Sequence, residues 1–269
     1  MTNKLLLISL SRMNIDFYKY QGTGNDFVII DNRNESFPKK NIELISQMCN
    51  RRFGIGADGL ILLESHATLD FTMYYFNADG NPGSMCGNGG RCIVRFAEYL
   101  NIIKDQTTFE AIDGMHNATL DKENVSLKMN DVSDIKVSEN YIYLDTGSPH
   151  HVQLVDDLEN YNVKKEGAAI RCTTYGKAGA NINFVERIDQ DKFAVRTYER
   201  GVEDETLSCG TGVTAVAIAL YETNKTSSNK VILYTKGGLL NVNFSKTETG
   251  YNDVYLKGPA SQVFKGIWQ

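Results

Sequence analysis

The sequence has no apolar run of the ~20 residues that a helix needs to cross a bilayer. It also lacks an excess of positive charge, since the formal net charge is −5, which argues against a nucleic acid or an anionic membrane as partner. The apolar segment 5–10 follows a single lysine, but it is short, lacks a small-residue cleavage site and is followed by Arg12, so we expect no secretory signal. The missing signal, together with the odd number of cysteines, predicts free thiols and the reducing cytoplasm as the compartment. Residues 1–12 are expected to form an extension before the first strand of the fold. The oligomeric state stays open, with a homodimer as one alternative.

The five cysteines lack the pattern of a disulfide framework or of a redox pair, because their number is odd and no Cys-x-x-Cys occurs. We expect free thiols, with Cys49, Cys92 and Cys172 buried as small apolar side chains. A zinc site at Cys86, Cys92 and His150 is an alternative, but the spacing is not Cys-x₂₋₄-Cys and no second pair exists. No lysine lies in a context typical of pyridoxal enzymes. We therefore predict no metal and no cofactor.

One short motif occurs twice. Residues 84–92 read SMCGNGGRC and residues 207–213 read LSCGTGV, and each is a Cys-Gly-polar-Gly turn followed by an apolar, helix-like stretch. Each also follows an aromatic-polar pair that ends a predicted strand. The repeat predicts a paired site built around Cys86 and Cys209.

The remaining pattern predicts an α+β fold. It consists of two pseudo-symmetric lobes, each a mostly antiparallel sheet or barrel around a long helix, with the active site in the cleft between them. The lobes are predicted at 13–130 and 131–269, with the C-terminal strand joining the first lobe as a further option. Helical spacing predicts helices at 41–49, 92–99, 158–166 and 213–221, the first capped by Asn41.

The glycines of residues 54–59 match the G-x-G-x-x-G pattern of dinucleotide sites. That site needs a strand before the glycines and a helix after them. Here the predicted helix comes first and the strand second, so a tight turn is the better interpretation.

The chemistry of the repeat follows from its position at two helix starts. Free N–H groups and the partial positive charge of the first turn favour an anion there, and glycines let the backbone approach it. A thiol at such a position is expected to have a pKa lowered toward neutrality. One such cysteine fits a nucleophilic enzyme. Two that face each other fit a proton transfer that inverts one carbon, in which a thiolate removes the α-proton and a thiol supplies one on the opposite face.

At these motifs the sequence resembles the diaminopimelate epimerase family. The matching segments extend over almost the whole chain in the family's order: GTGNDF (22–27), GIGADG (54–59), FNADG (76–80), MCGNGGRC (85–92), YERG (198–201) and ETLSCGTG (205–212). The resemblance implies a pyridoxal-independent isomerase that interconverts LL- and meso-2,6-diaminoheptanedioate for lysine and peptidoglycan synthesis. It also implies a two-lobed fold with the site in the cleft.

The resemblance carries roles to individual residues. Cys86 and Cys209 match the two acid/base cysteines, and His150, in a predicted loop, and Glu199 match groups that tune their pKa. Substrate-binding positions are matched by Asn25, Asn77, Gly87, Asn88, Asn181, Glu199, Arg200, Gly210 and Thr211. Of these, the glycines with Asn88 and Thr211 correspond to the helix starts that hold the carboxylate of the reacting centre.

Two positions depart from the family pattern, and three other functions compete. Gly59 and Ser148 stand where many members have glutamine and asparagine, at the distal end of the substrate. A two-cysteine racemase of the proline or hydroxyproline type would share the thiol pair, but it would not need the asparagines and Arg200. A non-catalytic binding protein or a phenazine-pathway-like isomerase on the same scaffold typically lacks one or both cysteines.

Overall fold

The computed structural model describes residues 14–269, so the predicted extension 1–12 and Met13 lie outside the described residues. The helices are α1 (Ile42–Cys49), α2 (Gly87–Tyr99), α3 (Val163–Tyr175) and α4 (Gly210–Glu222). The strands of the first half are β1 (Ile15–Gly22), β2 (Asn25–Asp31), β3 (Gly59–Glu64), β4 (Phe71–Asn77), β5 (Gln106–Ala111), β6 (Gly114–Leu120) and β7 (Asn124–Lys128). The later strands are β8 (Ile135–Val137), β9 (Ile142–Asp145), β10 (Pro149–Leu154), β11 (Asn181–Asp189), β12 (Lys192–Glu199), β13 (Asp204–Thr206), β14 (Lys230–Thr235), β15 (Gly238–Lys246), β16 (Tyr251–Pro259) and β17 (Ser261–Trp268).

The first lobe is a sheet in which β1 to β7 pair in chain order. The pairs β2–β3 and β4–β5 are parallel, and the other neighbours are antiparallel. Helix α1 connects β2 to β3 and α2 connects β4 to β5, as parallel neighbours require a crossover.

The second lobe repeats this plan. Strands β9, β10, β11, β12, β14, β15 and β16 pair in that order, with β10–β11 and β12–β14 parallel and the other neighbours antiparallel. Helices α3 and α4 occupy the two crossovers, and the short β13 adds to β12. The α+β fold with two pseudo-symmetric lobes is thereby confirmed, although each lobe contains two parallel pairs.

The lobes exchange their edge strands. β8 follows the last strand of the first lobe and pairs with β9 of the second, whereas β17 follows the last strand of the second lobe and pairs with β1 of the first. Strands β7 and β16 also pair antiparallel across the boundary. The two lobes therefore share one continuous hydrogen-bonded network.

Helices α2 and α4 are the central helices, and both bury their apolar residues in one shared core. Helix α1 packs on the other face of the first sheet, where Asn41 caps it by accepting a hydrogen bond from the Leu44 amide. Helix α3 covers the outer face of the second sheet. No helix within residues 14–269 is both long and apolar enough to cross a membrane.

Three local predictions were wrong. The helix predicted at 158–166 begins at Val163 and runs to Tyr175, so the second lobe has two long helices. The central helices begin at Gly87 and Gly210, several residues before the predicted starts, because the glycine turns are their first turns. Cys172 lies exposed on α3, whereas Cys49 and Cys92 are buried as predicted.

Candidate active site

The two cysteine turns meet between the lobes. Cys86 is the N-cap of α2 and Cys209 is the N-cap of α4, and both have extended backbone angles, φ −110° and ψ 118° against φ −126° and ψ 115°. The first turns of the two helices abut, and the side chain of Leu256 contacts both of them. The repeat in the sequence therefore becomes a symmetric pair of helix starts.

Cys86 lies half-buried with its thiol between a backbone donor and a side-chain acceptor. Its sulfur accepts a hydrogen bond from the Gly89 amide at 3.5 Å, and its thiol donates to Oδ1 of Asn25 at 3.6 Å. The same Oδ1 accepts from Nδ2 of Asn88 at 3.2 Å. Asn25 and Asn88 thus lie next to the first thiol.

Cys209 is buried and ends a short chain of hydrogen bonds. Its sulfur lies 3.4 Å from Oγ1 of Thr211, which lies 3.0 Å from Nε2 of His150. Nδ1 of His150 accepts from Nδ2 of Asn183 at 3.1 Å, so the ring proton sits on Nε2 and is donated to Thr211. His150 belongs to β10 rather than to a loop, and burial together with the charge of Arg200 lowers its pKa to about 3. It is therefore a neutral hydrogen-bond donor at physiological pH.

The expected lowering of the thiol pKa values is wrong for this structure. Burial raises the pKa of Cys86 to about 11 and that of Cys209 to about 12. The carboxylate of Glu199 contributes to both increases, whereas the amides of Gly89 and Gly212 act in the opposite direction. Burial also raises the pKa of Glu199 itself, and the charge of Asp58 adds to the effect. The helix starts therefore offset only part of the cost of burying a thiolate.

A cleft of about 870 Å³ extends from the two thiols and is lined by both lobes. Every predicted site residue except His150 lines it: Asn25, Asn77, Cys86, Gly87, Asn88, Asn181, Glu199, Arg200, Cys209, Gly210 and Thr211. His150 lies wholly buried behind Thr211.

Hydrogen bonds fix several of the side chains that line the cleft. Nδ2 of Asn25 donates to Asp58 at 2.6 Å, and Arg51 holds Asp58 at 2.6 Å. In the second lobe, Nδ2 of Asn181 donates to Oγ of Ser148 at 3.0 Å, and Oδ1 of Asn181 accepts from the backbone amide of Arg200 at 2.9 Å.

The sequence motifs alone assigned no function to four residues around the site. Asp58 and Ser208 line the cleft, and Thr23 and Arg91 lie buried next to Ser208 and Asn88. Oγ of Ser208 lies 2.8 Å from Oγ1 of Thr23 and accepts from Nδ2 of Asn88 at 3.1 Å. All four belong to the glycine and cysteine motifs, so their place in these motifs was the available signal.

Sequence comparison identifies a family. A family model described as diaminopimelate epimerase matches residues 17–134 and 142–263. A protein of that name from Flavobacterium psychrophilum is 57% identical over 250 residues, covering 92% of this chain and 98% of its own length. A second, from Chlorobaculum tepidum, is 43% identical and covers 91% of this chain and 98% of its own length.

Solved structures with low sequence identity share the fold. A phenazine biosynthesis protein of the PhzF family from Bacillus anthracis superposes with a TM-score of 0.78 at 14% identity, covering 96% of this chain and 99% of its own. A hydroxyproline epimerase from Agrobacterium vitis gives a TM-score of 0.68 at 11% identity, covering 96% and 93%. At these identities the likeness concerns architecture alone.

Proposed function

The chain belongs to the diaminopimelate epimerase family, and we propose that it interconverts LL- and meso-2,6-diaminoheptanedioate by passing the α-proton between Cys86 and Cys209. The activity, that of an isomerase, follows from the family. The observation that carries the mechanism is the pair of thiols at two abutting helix starts, one from each lobe.

In the proposed reaction one sulfur acts as thiolate and takes the α-hydrogen as a proton. The electron pair of the broken C–H bond delocalises into the adjacent carboxylate, and the other thiol delivers its proton to the opposite face of the carbon. The thiolate and the thiol have then exchanged places, so the reverse reaction uses the same two groups. Each acid/base contribution is typically worth ~10²–10⁴ in rate, so the loss of either thiol removes most of the activity.

The helix starts supply the electrostatic part of catalysis. The amides of the first turns, at Gly87, Asn88, Gly210 and Thr211, are assigned to the carboxylate of the reacting centre, where negative charge accumulates. Donors fixed in advance need no reorganisation as the charge develops, which is the condition for a large effect on the barrier. The abutting glycines let two helices reach one carboxylate.

Glu199 and His150 are assigned to the control of the two thiols. The carboxylate of Glu199 opposes the thiolate, and the α-ammonium of a bound substrate would offset that charge. His150 acts through Thr211, which presents its hydroxyl to the sulfur of Cys209. A hydrogen bond to the thiolate favours the charged form.

The distal amino acid group of the substrate is assigned to Asn25, Asn77, Asn181 and Arg200. A second carboxylate and ammonium need fixed polar partners, and these four residues line the cleft from both lobes. In this chain Asn181 is held by Ser148, so the serine supports the amide in place of a longer side chain. The requirement for two free thiols fits a cytoplasmic enzyme.

Assay of the purified protein with LL-diaminopimelate and, separately, with L-proline tests the assignment. Conversion of LL- to meso-diaminopimelate, with no racemisation of proline, is the expected result. Racemisation of proline without conversion of diaminopimelate would instead assign the chain to the two-cysteine racemases that share its fold.

A further inference from the structure

Arg91 is a fully buried cation whose hydrogen-bond acceptors are all uncharged. It lies in the second turn of α2 with none of its side chain exposed. The guanidinium donates to Oδ1 of Asn88 at 3.0 Å, Oγ1 of Thr23 at 3.2 Å, and the carbonyls of Gly87 at 3.3 Å and Pro259 at 3.5 Å. A buried charge without an ionic partner is costly to keep.

The surrounding backbone leaves room for this side chain. A Cβ on Gly22 would lie 3.3 Å from Nη2 of Arg91, and a Cβ on Gly258 would lie 3.4 Å from its Nε. The guanidinium is thus enclosed between a strand end of the first lobe and the last strand of the second. Its position near the start of α2 adds a positive charge to the positive end of the helix dipole, where a cation is unfavourable.

We propose that Arg91 is a positioning residue that orients Asn88 and supplies a fixed positive charge to the anionic state of the reaction. Because Oδ1 of Asn88 accepts from Arg91, its Nδ2 is directed at Oδ1 of Asn25 and Oγ of Ser208, 3.2 and 3.1 Å away. Asn88 thereby connects the two lobes beside the thiols. The anions that offset the buried charge are the Cys86 thiolate and the substrate carboxylate. The assignment of both anions rests on the proposed function.

Two substitutions separate the charge from the geometry. Arg91→Met removes both. Arg91→Lys keeps the charge but loses the planar guanidinium group that donates hydrogen bonds to Asn88 and Thr23. Arg95→Met is the matched control, because Arg95 lies one turn later on α2 and donates to Glu98 and to the carbonyl of Asp121, away from the cleft. The readouts are kcat and KM for diaminopimelate, the melting temperature, and the rate at which iodoacetamide alkylates Cys86 at fixed pH.

For Arg91→Met we expect kcat to fall ~100-fold, as for the loss of one preorganised donor, and Cys86 to be alkylated ~10-fold more slowly because less thiolate is present. For Arg91→Lys we expect alkylation near the wild-type rate with kcat reduced ~10-fold. Wild-type kcat in folded Arg91→Lys would overturn the positioning role, even if Arg91→Met does not fold. Unchanged Cys86 reactivity in folded Arg91→Met would overturn the role of the charge. Since alkylation needs no substrate, that result is independent of the epimerase assignment.

A separate observation concerns Tyr75, a half-buried residue of β4 that lines the cleft. Its ring fills the space beside two glycines: a Cβ on Gly59 would lie 2.5 Å from the ring and 3.0 Å from the hydroxyl, and a Cβ on Gly83 would lie 2.5 Å from the ring. Phe27 packs edge-on against the ring, with centroids 6.0 Å apart. The tyrosine therefore occupies the volume that side chains at 59 and 83 would take.

The geometry points to Tyr75 as a substrate-binding residue that determines specificity on the wall formed by β3 and β4. Burial raises its pKa, and the charges of Cys86, Glu199 and Asp58 raise it further, so the hydroxyl stays protonated at any assay pH. A protonated hydroxyl in the cleft is a donor for a carboxylate of the substrate. This assignment rests on the proposed function.

Tyr75→Phe removes one oxygen and keeps the ring that fills the wall. The matched control is Tyr74→Phe, the adjacent residue, which is exposed and has its ring beneath Lys39 on the other side of the strand. We expect KM for diaminopimelate to rise ~10-fold in Tyr75→Phe, and calorimetric Kd to rise equally, because a hydrogen bond to a charged group is lost. Wild-type KM and Kd in this variant would overturn the role of Tyr75. A wild-type protein that binds diaminopimelate without epimerising it would instead count against the proposed function, and the Kd comparison would still decide the role of Tyr75.

Discussion

Gly87 and Gly210 meet backbone to backbone at the boundary between the lobes. A Cβ on Gly210 would lie 3.3 Å from Cα of Gly87, and a Cβ on Gly87 would lie 3.6 Å from Cα of Gly210. Either Cβ would also lie 3.0 Å from Cδ2 of Leu256. The relationship favours glycine after both cysteines, and most strongly at 210, where a Cβ would press on the backbone of Gly87 as well as on Leu256.

Gly210→Ala tests this relationship. The added methyl group must displace Leu256 and press on the backbone of Gly87, so we expect overpacking that costs ~1–3 kcal/mol in stability. Because the two helix starts also move apart, we expect kcat/KM to fall ~100-fold.

The combination with Leu256→Val separates the two effects. The smaller side chain makes room for the methyl group, so the melting temperature should recover while kcat/KM stays low. Recovery of full activity in the double variant would show that the glycine contact itself is not required.

Thr211→Val tests the connection from His150 to Cys209. The substitution keeps the volume but removes the hydroxyl that lowers the pKa of Cys209. We expect the pKa of that thiol to rise and kcat to fall ~10-fold, within the usual range of an acid/base contribution. Thr214→Val is the control, because that hydroxyl donates to the carbonyl of Gly210 and lies one turn further along α4. Equal losses in the two variants would count against the connection.

Glu199→Gln tests the electrostatic control of both thiols. Burial is the main cause of the raised pKa values of Cys86 and Cys209, and the carboxylate of Glu199 raises both as well, so its neutral replacement should lower both. Below these pKa values the thiolate fraction grows about tenfold for each unit by which the pKa falls. We therefore expect faster alkylation of both cysteines by iodoacetamide between pH 7 and 9, together with weaker substrate binding. Slower alkylation would reverse the sign that we assign to Glu199.

The sequence was sufficient for the local and repeated parts of the fold. Alternating apolar residues predicted most strands, and Asn41 marked the start of α1. The start of α2 at Gly87 was missed because glycine has a low helix propensity, and the contact with Gly210 that favours it is tertiary. The pairing of β17 with β1 joins the two ends of the described chain, which no local pattern reports, whereas β8 pairs with β9, the next strand in sequence.

The active site likewise has features that the sequence predicted and features that depend on tertiary contacts. The motifs identified the residues that line the cleft, and the structure brings them together. The direction of the thiol pKa shift was predicted wrongly because it depends on the depth of burial and on the position of Glu199, and neither is visible in a helix-start motif. The roles of Arg91 and Tyr75 likewise depend on neighbours distant in sequence, such as Pro259 for the former and Gly59 for the latter.

The central claim is that each thiol serves one face of the α-carbon, and the most direct test is α-proton exchange in deuterated water with Cys86→Ala and Cys209→Ala. Each variant retains one thiol, so neither should epimerise diaminopimelate. Each should exchange the α-hydrogen of only one configuration, without inversion, and the two variants should select opposite configurations. Epimerisation by either variant, or exchange of both configurations by one of them, would contradict the two-thiol account.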